Sequence, residues 1–158
     1  MARPTRDDAH LMLELANWHT ASGVPEAAHW IRSKEFVKDF DEFEKRYPEG
    51  SDGRLKVGRF LGYHETLGTL WKNRLISEEL LFDWVWVSGA WDLVSDVALG
   101  MRKKAGVDAL WENFEAMAEH QRSLNSGSRR RAAPVKKARK QPTPSRKATA
   151  RSTSTRRR

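Results

Sequence analysis

Apolar side chains recur at three- and four-residue spacings through most of the chain up to about residue 120. No stretch keeps the strict alternation of a strand between hairpin turns, so the pattern predicts helices. Thr5 with Asp8 three residues on is a helix start, Asp being the weaker partner for a capping box. Leu11, Met12, Leu15 and Trp18 then form one stripe. Gly23 and Pro25 close that helix and open a short one over residues 26–33. Ser33 is placed to cap a third helix, in which Phe36, Val37, Phe40 and Phe43 or Tyr47 share a face. Lys38, Asp39, Asp41, Glu42 and Lys45 stay in water.

The turn-rich PEGSDG at 48–53 precedes a long helix expected from about Arg54 to Arg74, striped by Val57, Leu61, His64, Leu67 or Gly68, and Trp71. Gly58, Gly62 and Gly68 each cost about 1 kcal/mol relative to Ala in a helix interior, so the three together point to close helix–helix approach. Ser77 is a good N-cap, and Glu78 and Glu79 suit the positive end of the helix it opens. Next comes FDWVWVSGAWDLVS, residues 82–95, with Trp84, Trp86 and Trp91 inside eight positions. As one helix continuing to about Lys104, with Ser88-Gly89 as the place for a break, it sets Trp84 and Trp91 about 20° apart and Trp86 on the far side. Apolar nearly all round except at Asp83, Asp92 and Asp96, it is expected to be the buried central helix. A ligand pocket and a base-stacking surface are the other readings, and the interleaved acids count against stacking on nucleic acid. Gly106 ends this segment, Asp108 can cap the last helix, and Leu110, Phe114 and Met117 share its inner face. The expected fold class is all-α, a compact bundle of about six helices.

Charge divides the chain. The net charge is +8, yet from Gly127 onward there are thirteen Lys or Arg and no Asp or Glu. The 29 basic residues less those thirteen leave sixteen against 21 acids, so residues 1–126 carry −5 and the remainder +13. All seven Trp, both Tyr and all six Phe lie in the acidic part. Such a switch marks a domain boundary: an acidic helical domain over 1–125, then a disordered Lys/Arg-rich tail over 126–158. A body of about 120 residues can bury one core. The tail, with Val135 its only larger aliphatic side chain, cannot offset the entropy of ordering.

Candidate chemistry is thin. With no cysteine, disulfides, thiolate catalysis and Cys-ligated metals are excluded. His10 and Glu14 share a helix face, but a carboxylate-bridged metal site needs Glu-x-x-His on two helices and the chain has it once, at Glu26-Ala27-Ala28-His29; His120 stands five beyond Glu115 rather than three. His64-Glu65 invites an acid–base reading, although neighbours on a helix point about 100° apart; a hydrogen-bonded core histidine is the better default. GxxxxGK[ST], GxGxxG and GxSxG do not occur. No enzyme, metal or cofactor is expected. MARPTRDDAH lacks the apolar run of a secretory leader, and the longest mainly apolar uncharged run, Trp84 to Trp91, falls far short of the ~20 residues of a membrane span. A cytoplasmic location is expected.

The tail is the strongest functional signal. Arg129, Arg130, Arg131, Lys136, Lys137, Arg139 and Lys140 are followed by Arg146, Lys147, Arg151, Arg156, Arg157 and Arg158, spaced by Pro, Ala, Ser and Thr. Such a run supplies phosphate contacts without sequence readout, and its binding weakens steeply with salt. Ser128, Ser145, Thr149 and Ser152 stand where phosphorylation would lower that affinity. An anionic membrane is the poorer partner, lacking an adjacent amphipathic anchor or lipidation motif.

One stretch carries a resemblance. LGYHETLGTLWKNRLISEELLFDW, with Tyr63, Glu65 and Gly68 in an aromatic-x-Glu-x-x-Gly pattern, Trp91 midway along the next helix and a closing Leu110-Trp111-Glu112-Asn113-Phe114-Glu115, resembles a bacterial family of small helical domains of unknown function. The resemblance covers roughly residues 7–120 and excludes the tail. It implies an all-helical fold and a bacterial cytosolic setting, supplies no activity, and marks Glu65, Trp111 and Asn113 as a candidate shared site. The tail is similar in composition to the extensions of bacterial histone-like proteins.

The leading expectation is a non-enzymatic helical module whose tail binds DNA or RNA nonspecifically, with a nucleoid-associated location. The alternative is a helical domain for a protein partner or a homodimer, its tail solubilising only. Third stands an enzyme with an unrecognised site around Glu65.

Overall fold

The computed structural model describes residues 4–132, with side chains to residue 126. Among them are seven helices and no strand: α1 (Arg6–Ala21), α2 (Val24–Ile31), α3 (Phe40–Arg46), α4 (Asp52–Lys72), α5 (Glu78–Trp84), α6 (Val87–Ala105) and α7 (Glu112–Ala132). No helix among them is long and apolar enough to cross a membrane. The compositional boundary at 125–126 falls inside α7, which continues through the Gly-Ser-Arg-Arg-Arg run to Ala132, the last described residue. From residue 133 on, the expected disordered tail lies outside the described residues.

Most starts follow local chemistry. Thr5 and Asp8 form a reciprocal capping box on α1. Ser51 caps α4 and Ser77 caps α5 through their hydroxyls, and Gly106 closes α6 in the left-handed conformation at φ 66°. The third helix departs from expectation. Ser33 spends its hydroxyl on the amide of Glu35 two residues on, so α3 waits for Asp39, whose carboxylate accepts from the Glu42 amide. Phe36 and Val37 therefore lie in the preceding loop, Phe36 still buried.

The centre also differs. The Trp-rich segment is not one helix: Val85 is extended at φ −118°, ψ 124°, and separates α5 from α6 three residues before the expected break. Gln121, buried on α7, holds this corner by donating to the Val85 carbonyl at 2.9 Å and accepting from the Ser88 amide at 2.8 Å. Helical phase is lost there, so Trp86 is not in the core but 73% exposed, while Trp91 is buried edge-on to Phe114. The role of central helix passes to α4, against which α2 and α7 pack, with Val57, Phe60, Leu61 and Leu67 fully buried.

Of Gly58, Gly62 and Gly68, the α4 glycines expected to mark close helix–helix approach, Gly68 alone does so. A Cβ there would meet the Asn113 carbonyl carbon and oxygen at 2.5 Å, whereas one at Gly58 or Gly62 would meet nothing within 4 Å.

Candidate functional site

Glu65, Trp111 and Asn113 come together where α4 crosses the start of α7. One Glu65 carboxylate oxygen accepts the Asn113 side-chain amide at 2.6 Å and its backbone amide at 3.3 Å; the other accepts the Phe114 amide at 2.9 Å. Free N–H groups at a helix start need acceptors, and a carboxylate also complements the positive end of the helix dipole. Here the acceptor comes from another helix, 48 residues earlier in sequence. Asp108 is not the cap of α7, because the chain turns over residues 108–111 before the helix starts at Glu112. Trp111 takes a left-handed conformation at φ 63°, and its buried indole N–H has no hydrogen-bond partner among the described residues. Gly68, one turn from Glu65, lets the backbones approach closely enough for these bonds. The aromatic-x-Glu-x-x-Gly and Trp-Glu-Asn-Phe-Glu patterns are thus two halves of one helix–helix joint.

The other residues read as acid–base or metal-binding candidates do not converge on it. Glu112 faces Lys72 at 3.3 Å, Glu115 faces Arg102 at 2.7 Å, and His120 faces Glu78 at 3.1 Å. His10 and Glu14 stand 3.5 Å apart on an exposed face of α1. His64 points away from Glu65 into the interior. Its Nδ1 lies 2.8 Å from the Phe60 carbonyl and its ring stacks on Phe114 at 4.6 Å between centroids. Burial, the largest influence, pushes its pKa down to about 4, with the charges of His19 and Arg32 acting in the same direction. The ring is therefore neutral near pH 7, donating through Nδ1 and leaving Nε2 as an acceptor.

His64 also lines a cavity of about 810 Å³ bounded by α1, α2, α4 and the α5–α6 corner. Phe60 and Tyr63 share its α4 wall, Trp84 and Trp86 form the corner wall, and Arg32 and Lys38 stand at its exposed rim. Burial lowers the pKa of His19 and raises that of the Tyr63 hydroxyl to about 12. Sequence reasoning flagged a pocket as one reading of the Trp cluster but missed Arg32, Lys38, His19 and Tyr63. Their convergence has no spacing signal, because each comes from a different part of the chain or from an element read as core.

The thirteen basic positions of the tail lie beyond the described side chains. Arg129, Arg130 and Arg131 fall on the last turns of the α7 backbone, and the other ten lie outside the described residues.

No curated protein and no solved structure matches the chain significantly. The model of a domain of unknown function (DUF4760) matches residues 5–121, from the cap of α1 to Gln121 on α7, and the chain belongs to that family.

Proposed function

We propose that the chain is a non-enzymatic helical module whose C-terminal basic segment binds DNA or RNA through the phosphate backbone. The observation that carries this reading is the separation of charge: thirteen cations and no acid after residue 126, against a body of −5. An acidic body repels phosphate, so nucleic acid is steered to the tail, and the body is left to orient it or to meet a partner. The non-enzymatic part is favoured by the fate of Glu65, the residue around which a reaction was most readily imagined. Both of its oxygens accept hydrogen bonds from the start of α7, an arrangement that builds a joint rather than frees a base. In a cell, such binding would make the protein nucleoid-associated.

The test is a titration of a labelled DNA duplex and a labelled single-stranded RNA with two full-length proteins. One is unaltered; in the other the ten basic residues beyond Ala132 are replaced by Gln. The reading requires the neutralised chain to lose nearly all its affinity for both. Equal binding by the two chains would remove the tail from nucleic-acid recognition, and no binding by either would return the partner-binding or dimeric module with a solubilising tail.

A further inference from the structure

Three features mark the cavity beside His64. Trp86 lines the cavity with 73% of its surface exposed. Its ring lies back on Gly89, where a Cβ would stand 2.6 Å from it, so the first turn of α6 is cut away to seat it. Arg32 and Lys38, at the rim, make no ion pair among the described residues; Arg32 gives one N–H to the Ala28 carbonyl and keeps the rest of its donors. Asp92, the acid that lines the same cavity, is already paired with Arg122. At the floor, His64 is only 5% exposed and Nε2 has no hydrogen-bond partner among the described residues.

We propose that this cavity binds a small aromatic organic anion that carries an N–H or O–H donor. Its anionic group meets Arg32 and Lys38, its flat body lies against Trp84 and Trp86, and its donor meets Nε2 of His64. Each choice follows from the wall that makes it. Two unpaired cations at a rim whose acid is neutralised select an anion. Flanking indoles select a flat apolar body. A neutral imidazole whose Nδ1 proton is committed to Phe60 offers an acceptor, which a ligand must match with a donor or leave desolvated. The volume lies in the range of small-molecule sites, and the mixture of apolar walls with a few convergent polar groups is their usual make-up. A metal ion fits poorly, since the cavity offers one neutral histidine at its floor, a second in its wall and no free carboxylate.

The experiment is calorimetry on the full chain with two probes of nearly equal shape and charge, indole-3-acetate and naphthalene-1-acetate, which differ in a ring N–H. One site is expected for indole-3-acetate, with the naphthalene analogue weaker by about tenfold or more, the worth of an unmet buried acceptor. Arg32→Gln with Lys38→Gln, and separately Trp86→Ala, should each weaken indole-3-acetate by about tenfold. All three positions are solvent-exposed at the rim, so helicity by circular dichroism should be unchanged. His64→Phe should abolish the preference between the two probes. Lack of binding overturns the proposal. So does equal affinity for the two probes, or binding that ignores the rim variants and disappears when the tail is neutralised. That last result would leave the tail reading intact, so the two ideas fail separately.

Discussion

The carboxylate of Glu65, midway along α4, holds the first turn of α7 through Asn113, 48 residues away, by one 2.6 Å bond to its side-chain amide and a second to its backbone. With Phe114 also donating to Glu65, three donors depend on one side chain. Glu65→Ala should therefore destabilise the body by about 2–3 kcal/mol, because the amides keep little alternative but imperfect hydration. Glu65→Gln retains one carbonyl acceptor and should cost about half as much. Denaturant unfolding followed by circular dichroism measures both; equal stability of Glu65→Ala and the parent would show that the joint contributes nothing.

The same joint sets opposite expectations for two glycines of α4, Gly68 and Gly62. Gly68→Ala places a methyl 2.5 Å from the Asn113 backbone, so α4 and α7 must separate, at a cost of about 1–3 kcal/mol. Gly62→Ala meets nothing within 4 Å and should stabilise α4 by about 0.5–1 kcal/mol through helix propensity. A Gly68→Ala chain as stable as Gly62→Ala would contradict the close approach.

His64 gives a pH signature. Its folded pKa of about 4 lies below the ordinary value of 6.5, so above pH 6.5 it is neutral whether folded or not and imposes no penalty. As pH falls from 6.5 toward 4 the unfolded chain takes up the proton and the folded chain does not, and stability declines, by roughly 3 kcal/mol in all. His19, lowered by burial, tilts the curve in the same direction; Asp8 and Glu44, lowered by hydrogen bonds, lose their contributions at more acid pH. His64→Phe keeps a ring between Phe60 and Phe114 and should flatten the curve between pH 6.5 and 4. A variant with the parent's slope would place the titration elsewhere.

Two tryptophans of the same segment should differ sharply. Trp91→Ala empties a buried site against Phe114 and should cost about 3–5 kcal/mol, whereas Trp86→Ala, 73% exposed, should change stability by less than about 0.5 kcal/mol. Thermal unfolding of the two variants decides it.

That contrast shows where sequence reasoning reaches its limit. Caps are local, so Thr5, Ser51, Ser77 and Gly106 announce their helix ends from neighbours within a few positions. The α5–α6 corner is not local. It rests on Gln121, more than thirty residues later, satisfying Val85 and Ser88, and nothing in FDWVWVSGAWDLVS records that clamp. Reading the segment as one helix therefore carried Trp86 inward and gave six helices in place of seven. Glu65, Trp111 and Asn113 could be grouped from their pattern, but the reason for the grouping, a carboxylate from α4 serving α7, needs both helices in place. The cavity was less legible still: its cations, histidines and indoles sit on separate elements with no common spacing.

The thirteen cations after residue 126, acting as a phosphate-neutralising chain, are the proposed basis of nucleic-acid binding. The most direct test is the affinity of the full chain for a DNA duplex across a salt series. Each phosphate neutralised contributes a slope of about −0.9 in log affinity against log salt, so contact with roughly six to ten phosphates predicts a loss of about 10³–10⁵ between about 50 and 200 mM salt. An affinity that stays level over that interval would contradict a phosphate-neutralising tail.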